Sequence, residues 1–280
     1  MVTEDKIAGM KKEQYREIFG VRYEVFQKMK RVLETECPPQ KRGRPWKISV
    51  TDKLVVALLY LREYPTMRYL AWEYGISLGA VCESIRWVKN TLLKICRLRN
   101  FRHDLTAETQ GRTLIADVTE CAIERPKKNQ GVYYSGKKKR HTMKVQVLAD
   151  EKTQNILSVY IADGHIHDFQ VYKNSGTVLA ESAKLLADSG YQGIRKLHEN
   201  SETPVKASKL HSLTEEEKQY NRDLGSRRIV IEHINARLKS FGILSGRFRN
   251  DLSTFADTAV LLCTVVNMNL SQKTCLMFDS

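Results

Sequence analysis

The chain is 280 residues long, 42% hydrophobic and 28% charged, enough for one large domain or two of ordinary size, and two is the reading followed here. No uninterrupted apolar run reaches the ~18 residues of a membrane span, and charges run through the first 25 positions, where a signal peptide keeps an apolar stretch; a soluble cytoplasmic protein is expected rather than a membrane or exported one. Lys and Arg number 46 against 32 Asp and Glu, giving a net charge of +14 and a pI near 9.5, which passes the usual threshold for suspecting a nucleic-acid partner.

Both halves carry the excess, with 21 basic and 13 acidic residues up to Gln110 and 25 against 19 beyond it. A surface kept basic for solubility alone has the same totals, so local clustering must decide. Cys37, Cys82, Cys96, Cys121, Cys263 and Cys275 form no Cys-x2-Cys pair and no Cys/His ladder. They read as reduced, mostly buried thiols rather than zinc ligands or a disulfide framework.

Cys37-Pro38-Pro39-Gln40 ends whatever helix precedes it. Lys41-Arg42-Gly43-Arg44-Pro45-Trp46-Lys47 follows, with Arg44 held extended by Pro45. This basic segment, 41–47, is an arm that lies along a minor groove through Arg42, Arg44 and Lys47, or a solvated linker; taken alone the two readings weigh the same. From Ser49 the period is helical: Ser49 and Asp52 are spaced as a capping box, and Leu54, Leu58 and Leu61 share one stripe. Pro65 separates this helix from the next.

Thr66 to Val81 reads as a helix-turn-helix that continues to about residue 90. Ala71 lets two helices cross closely, Gly75 takes the turn, and Leu70, Ile76 and Val81 fill the wedge. Ser77 caps the second helix, and Val81, Ile85, Val88, Leu92 and Ile95 commit one of its faces to the core. The opposite face offers Gly79, Glu83 and Arg86 to a groove, with Ser77 and Arg86 as candidate DNA contacts. A helical hairpin packed for stability alone has the same pattern.

Beyond about Leu105 the pattern is extended. Thr113 to Ile123, Thr142 to Ala149 and Ile156 to Ala162 are β-rich, the last two separated by the turn residues Asp150 to Asn155, and Lys184 to Ala187 makes a fourth, short strand. Thr214 and Glu217 are spaced as a capping box for a helical region expected to break at Gly225-Ser226 and resume to about Phe241. The expected class is α+β or α/β: an all-helical domain over 1–105, then a mixed sheet flanked by helices over 106–280.

Three acidic residues stand in this second part in short motifs of their own. Asp117 lies inside the apolar run Leu114-Ile115-Ala116-Asp117-Val118, where an ionised carboxylate needs a hydrogen-bonded partner or a metal. Asp188 follows Leu185-Leu186-Ala187 at a strand end, where open sheets bind ligands; a turn aspartate is the equal alternative. On a helix, Arg228, Glu232 and Lys239 form one polar row apart from the stripe Ile231, Ile234, Leu238 and Phe241, or else Arg228 and Glu232 are a surface pair.

Three such carboxylates can hold two Mg²⁺ roughly 4 Å apart, with Mn²⁺ as a substitute, for an in-line displacement at phosphorus. Arg228, Lys239 and the basic loop Lys137, Lys138, Lys139 and Arg140 are candidate phosphate contacts, with Tyr133 and Tyr134 beside the loop for stacking; a solvated charge run is the even alternative for that loop. His165 and His167, two positions apart without further ligands, argue for a structural or supporting role rather than zinc. No Gly-rich nucleotide loop is present in the sequence.

These motifs in this order resemble a DDE-type insertion-sequence transposase, of the insertion-sequence-five kind related to the Harbinger group. The resemblance covers nearly all of the chain after residue 40. It rests on Arg42-Gly43-Arg44-Pro45-Trp46, the helix-turn-helix, Asp117 with Thr119-Glu120, Tyr134-Ser135-Gly136-Lys137-Lys138-Lys139, Gly164-x2-His167-Asp168, Asp188-Ser189-Gly190-Tyr191 and Arg228-x3-Glu232-x6-Lys239. It implies an RNase H-like domain in which Asp117 on the first strand, Asp188 after the fourth and Glu232 on a later helix bind the metals.

Related transposases often carry Tyr three positions before the Arg of the last motif, where this chain has Gly225. The activity implied is cleavage of double-stranded DNA at the terminal inverted repeats of an element and transfer of the 3′ ends to target DNA, by a homo-oligomer assembled on DNA. The alternative is a non-catalytic DNA-binding protein derived from such an enzyme. Occupation of all three acidic positions favours the enzyme, because a protein kept for binding has no use for mutually repelling carboxylates. The helix-turn-helix disfavours a general nuclease.

Overall fold

Apolar spacing and caps account for the helices of the first part of the chain. Helices α1 (Lys12–Phe19) and α2 (Tyr23–Thr35) are joined at Gly20, whose φ of 72° suits a residue without a side chain. The rings of Tyr15, Phe19 and Phe26 pack between them at 5.1–5.8 Å. The computed structural model describes residues 7, 9–37, 48–96, 98, 104–208 and 212–270; the basic segment with Arg42, Arg44 and Lys47 lies outside them, as does Cys275.

Helix α3 (Val50–Glu63) opens with the expected box: Ser49 Oγ accepts from the Asp52 amide at 3.0 Å, and Asp52 Oδ2 accepts from the Ser49 amide at 3.3 Å. Its burial is wider than the Leu54, Leu58 and Leu61 stripe, since Val55, Val56, Ala57 and Tyr60 are also buried. Helices α4 (Met67–Tyr74) and α5 (Leu78–Ile95) form the helix-turn-helix. Gly75 makes the turn at φ 61°, the Ile76 amide bonds the Ala71 carbonyl at 3.0 Å, and Leu70 and Val81 are buried in the wedge. Ser77 Oγ accepts from the Ala80 amide at 3.2 Å and caps α5, while Arg86 is exposed on its outer side.

The second part is built on strands β1 (Thr113–Ala122), β2 (Tyr134–Ser135), β3 (Arg140–Asp150), β4 (Ile156–Asp163), β5 (Lys184–Leu186) and β6 (Ser201–Glu202). β1 pairs antiparallel with β3 from Leu114↔Asp150 to Ala122↔Thr142, and β3 pairs antiparallel with β4. On the other side of β1, β5 runs parallel in register Ile115↔Leu186, and β6 runs parallel to β5. Long antiparallel strands continued by short parallel ones make an RNase H-like sheet.

A single helical turn, α6 (Gln130–Tyr133), leads into the β2–β3 hairpin, and α7 (Asp168–Ser175) follows β4. One face of the sheet buries Leu114, Ala116 and Leu148 with Tyr172, Leu185, Ala187 and Tyr191. Side chains alternate along a strand, so Asp117 points to the other face. There it meets α8 (Glu215–Lys239), which carries Arg228 and Asn235.

Helix α8 corrects the sequence reading, because it runs unbroken through Gly225. One exposed glycine costs a helix interior about 1 kcal/mol, and several ties offset that here. Thr214 and Glu217 form a reciprocal cap at 2.9 and 3.2 Å, three acidic residues occupy the first turn, and Arg227 grips Glu151 at 2.7 and 2.8 Å. The helix ends at Lys239, and Phe241 is buried outside it, before α9 (Gly242–Ser245).

Helix α10 (Phe255–Leu270) was assigned nothing in the sequence; it is apolar nearly all round, from Phe255 and Ala259 to Val266 and Met268. The chain divides into two compact units, residues 1–97 with 238–246 and 260–280, and residues 98–237 with 247–259. Among the described residues no helix is long and apolar enough to cross a membrane, and the five described cysteines form no disulfide.

Candidate active site

Strand β1 places Asp117 at the end of its buried stretch Leu114-Ile115-Ala116, on the face toward α8. Asn235 Nδ2 donates to Asp117 Oδ2 at 2.7 Å, and Arg228 Nη2 stands 3.9 Å from Oδ1. Burial pushes the Asp117 carboxyl up to about 6, and the nearby charge of Asp188 pushes the same way. Arg228, the Val118 backbone and Asn235 oppose the rise without cancelling it.

Asp188 follows β5 and caps a short 3₁₀ turn, Ser189–Tyr191, through Oδ1, which accepts from the Gly190 amide at 2.7 Å. The parallel register of β5 with β1 brings this turn to the level of Asp117. Asp188, Ser189 and Gly190 line a pocket of about 310 Å³ with Lys137 and Ser135 of the hairpin, Lys144 of β3, and Asp168 at the start of α7. Of the basic loop, Lys137, Lys138, Lys139 and Arg140 are all exposed, and Lys137 reaches the pocket. His165 Nδ1 stands 2.5 Å from the Val132 carbonyl, so it ties the strand end to α6, and His167 is the residue before α7.

Glu232 is exposed, four residues after Arg228 and three before Asn235 on α8. Positions so spaced are neighbours on a helix. Glu232 therefore occupies the row between two side chains that touch Asp117. Among the described residues no three His, Cys, Asp or Glu side chains stand close enough to form a ready ligand set. Lys239 falls in the other unit, where its Nζ donates to the Leu244 carbonyl at 3.1 Å.

Sequence reasoning missed four groups here. Asn235 continues the Arg228–Glu232 row, and extending that row one turn finds it. Asp168 sat in a motif quoted for its resemblance and received no role. Tyr191 likewise stood in the quoted motif Asp188-Ser189-Gly190-Tyr191 without a role of its own, and Lys144 carries no signal in sequence alone, where it looks like a strand residue.

A family profile described as DDE superfamily endonuclease matches residues 116–267, and one described as the helix-turn-helix of DDE superfamily endonuclease matches residues 46–95. The chain belongs to the DDE superfamily of endonucleases. This DDE endonuclease is 36% identical over 272 residues, 96% of its length and 99% of the relative's, to a probable transposase for insertion sequence element IS702 of Microchaete diplosiphon. It is 26% identical over 222 residues, 78% of its length and 80% of the relative's, to a putative transposase for insertion sequence element IS112 of Streptomyces albus G.

The superfamily implies divalent metal, and the residues present fit one. Asp117 and Asp188 are hard oxygen donors, and burial, with the nearby Asp188 charge adding to it, makes the ionised Asp117 carboxylate costly in a way that a bound cation would relieve. Asn235 Oδ1, buried beside Asp117, has no hydrogen-bond partner and is a third oxygen. No cysteine belongs to this set, as expected for a hard ion rather than a soft one.

Proposed function

We propose that this DDE endonuclease is the transposase of an insertion sequence, which cuts double-stranded DNA at the element's terminal inverted repeats and joins the freed 3′ ends to target DNA. The observation that carries this reading is the placement of Asp117, within β1, beside Asp188, just after β5, with Arg228 and Asn235 of α8 at Asp117. Asp117, Asp188 and Glu232 are the residues to hold Mg²⁺, two ions in this reading, with Mn²⁺ as a substitute. The bound metal supplies activation of a water or 3′-hydroxyl and stabilises the leaving oxygen.

The protein's own groups set the geometry. Asn235 fixes the orientation of the Asp117 carboxylate, and Arg228 offsets its charge and offers the guanidinium to a phosphate. Lys137 at the pocket rim, with Lys138, Lys139 and Arg140 beyond it, follows the DNA backbone. Arg86 on the outer side of α5, with Arg42, Arg44 and Lys47, binds the element end, and the protein acts as a homo-oligomer assembled on DNA.

The test is Mg²⁺-dependent cleavage and strand transfer on oligonucleotides carrying the element's own ends, with Asp188→Asn as the control. Wild type is expected to cut and join while the variant binds and does neither. If both bind the ends equally and neither cuts, the protein is a non-catalytic DNA binder.

A further inference from the structure

Strand β1 is covered unevenly along the edge it shares with β5. That edge is paired at Thr113, Leu114 and Ile115 by β5, and again at Ile123 by Phe248, which forms a parallel bridge there. Among the described residues no strand pairs with it over 116–121, and Asp117, Val118, Thr119 and Glu120 are partly exposed along this gap. Asp117 and the turn that carries Asp188 stand at one end of the gap, and Phe248 closes the other. Ile123 lies six positions beyond Asp117, roughly 20 Å at the ~3.3 Å rise of a strand.

Phe248 is firmly mounted. Its amide donates to the Ala122 carbonyl at 2.8 Å, its carbonyl accepts from the Glu124 amide at 3.0 Å, and its buried ring packs edge-on against Phe255 at 5.1 Å. Arg247 and Arg249 flank it and are both exposed, so one anchored apolar side chain alternates with two outward guanidinium groups. On the other side of Ile123, whose amide donates to the His141 carbonyl at 3.0 Å, stands the β2–β3 hairpin with its exposed Lys137, Lys138, Lys139 and Arg140. The chain leaves the sheet between these two through a loop with Arg125, Lys127 and Lys128, all exposed.

Three segments distant in sequence are thus drawn by backbone hydrogen bonds to the same end of the sheet, and all three are basic. Over 124–140 the chain holds seven basic residues and one acidic. Asp251, beyond Arg249, turns its carboxylate to its own backbone and accepts from the Ser253 amide at 2.8 Å. A surface kept basic for solubility alone intersperses both signs, whereas like charges gathered in one place repel until an anion joins them. Arginine on a fixed backbone suits phosphate, whose oxygens match the planar fork of donors.

We infer that Arg247 and Arg249, with Arg125, Lys127 and Lys128, form a second DNA-binding surface, on the unit that carries Asp117, which grips the duplex backbone about six base pairs from the bond being cut. At 3.4 Å per base pair, six pairs span the roughly 20 Å from Asp117 to Ile123. The inference rests on the reading of Asp117 and Asp188 as the place of cleavage.

The test is binding of the full-length protein to a duplex spanning one element end and its flank, without divalent metal and over a series of salt concentrations. Ethylation interference on the same duplex reports the phosphates whose alkylation blocks binding. Wild type is expected to show a cluster of such phosphates about six nucleotides from the cut. Arg247→Ala with Arg249→Ala is expected to erase that cluster and spare the rest of the pattern. It is also expected to lower the slope of log affinity against log salt by about two, and to weaken binding at 0.1 M salt by about tenfold or more. Lys127→Ala with Lys128→Ala is expected to act on the same cluster, and Arg247→Lys with Arg249→Lys, which keeps the charge, to restore the slope.

If the double arginine variant keeps wild-type affinity, slope and interference pattern while wild type cuts the ends in Mg²⁺, the inference is overturned and the functional reading stands. Weaker binding with the cluster still in place overturns it too, because the arginines then act through overall charge and not at that position. If wild type binds the ends and cuts nothing, the functional reading fails and takes the inference with it. Should the arginine variant fail to fold, the lysine pair decides, and a wild-type slope and pattern there sink the proposal.

Discussion

Asn235 Nδ2 donates a 2.7 Å hydrogen bond to Asp117 Oδ2, so the α8 side chain bonded to the central carboxylate is an amide one turn beyond Glu232. An amide donor steadies an ionised carboxylate without adding charge to a site that already holds Asp188.

Removing that donor moves the titration of Asp117. Its carboxyl already titrates at about 6 with Asn235 favouring the charged form, so Asn235→Ala raises it further, by roughly one pH unit for one charge-assisted hydrogen bond. The acid limb of Mn²⁺ binding against pH is expected to shift upward accordingly. Asn235→Asp, which adds a negative charge at the same place, shifts it more. An unchanged limb in both variants would show that the bond does not act on Asp117.

Asp117 itself destabilises the fold at neutral pH. Its value rises from 3.8 unfolded to about 6 folded, so between those values the native state binds more protons, and stability falls as pH rises through the window. The difference is worth up to about 3 kcal/mol. Asp117→Asn is expected to flatten urea-unfolding stability between pH 4 and pH 6 and to raise it at pH 7 by about 1–2 kcal/mol, while ending DNA cleavage.

Gly190 has no room for a methyl group, since its β-carbon would meet Asp188 Oδ1 at 2.9 Å. Gly190→Ala is expected to push the Asp188 carboxylate off the Gly190 amide and to lower cleavage and Mn²⁺ affinity by about tenfold or more. Binding of the element ends is expected to persist. Wild-type cleavage by this variant would mean that the Asp188 orientation seen here is not the working one.

The Arg227–Glu151 fork ties α8 to the β3–β4 turn at 2.7 and 2.8 Å, with both side chains partly exposed. Glu151→Gln is expected to cost about 1 kcal/mol, a few degrees or less in thermal midpoint for a chain this size. The larger effect is on cleavage, because the fork helps set where Arg228 and Asn235 stand. A loss of stability with unchanged cleavage would assign the fork to stability alone.

Ser77 was a candidate DNA contact, and its hydroxyl caps α5. Ser77→Ala is expected to destabilise by about 1 kcal/mol. Ser77→Asp keeps the cap and sets a negative charge where a phosphate would approach. Retained melting temperature with weakened binding of the element ends would show that both roles belong to this residue, whereas unchanged binding leaves only the cap.

Caps, turns and alternation carry short-range information, and they were legible in the sequence. Ser49 with Asp52, Thr214 with Glu217, the Gly75 turn and the three long strands all stand where their spacing puts them. Contacts made by tertiary pairing were not. The level at which Asp188 stands beside Asp117 depends on β5 lying next to β1, and Lys144 with Asp168 depends on β3 meeting the start of α7. The continuity of α8 was misjudged for the same reason: local propensity sees the glycine at 225, and only the folded protein supplies the grip of Glu151 on Arg227.

That helix is unevenly held. From Glu215 to Asp223 none of its residues is buried, whereas Leu224, Ile231 and Ile234 are, and Arg227, Arg228 and Asn235 are all tied to strands or their turns. Amide hydrogens in the first half exchange through cheap local opening, while those of the second half wait for the sheet to open with them. The outer half is held to the rest of the fold by the two bonds between Asn221 and the Val205 backbone, at 2.9 and 3.0 Å, and can open there without letting go of Asp117.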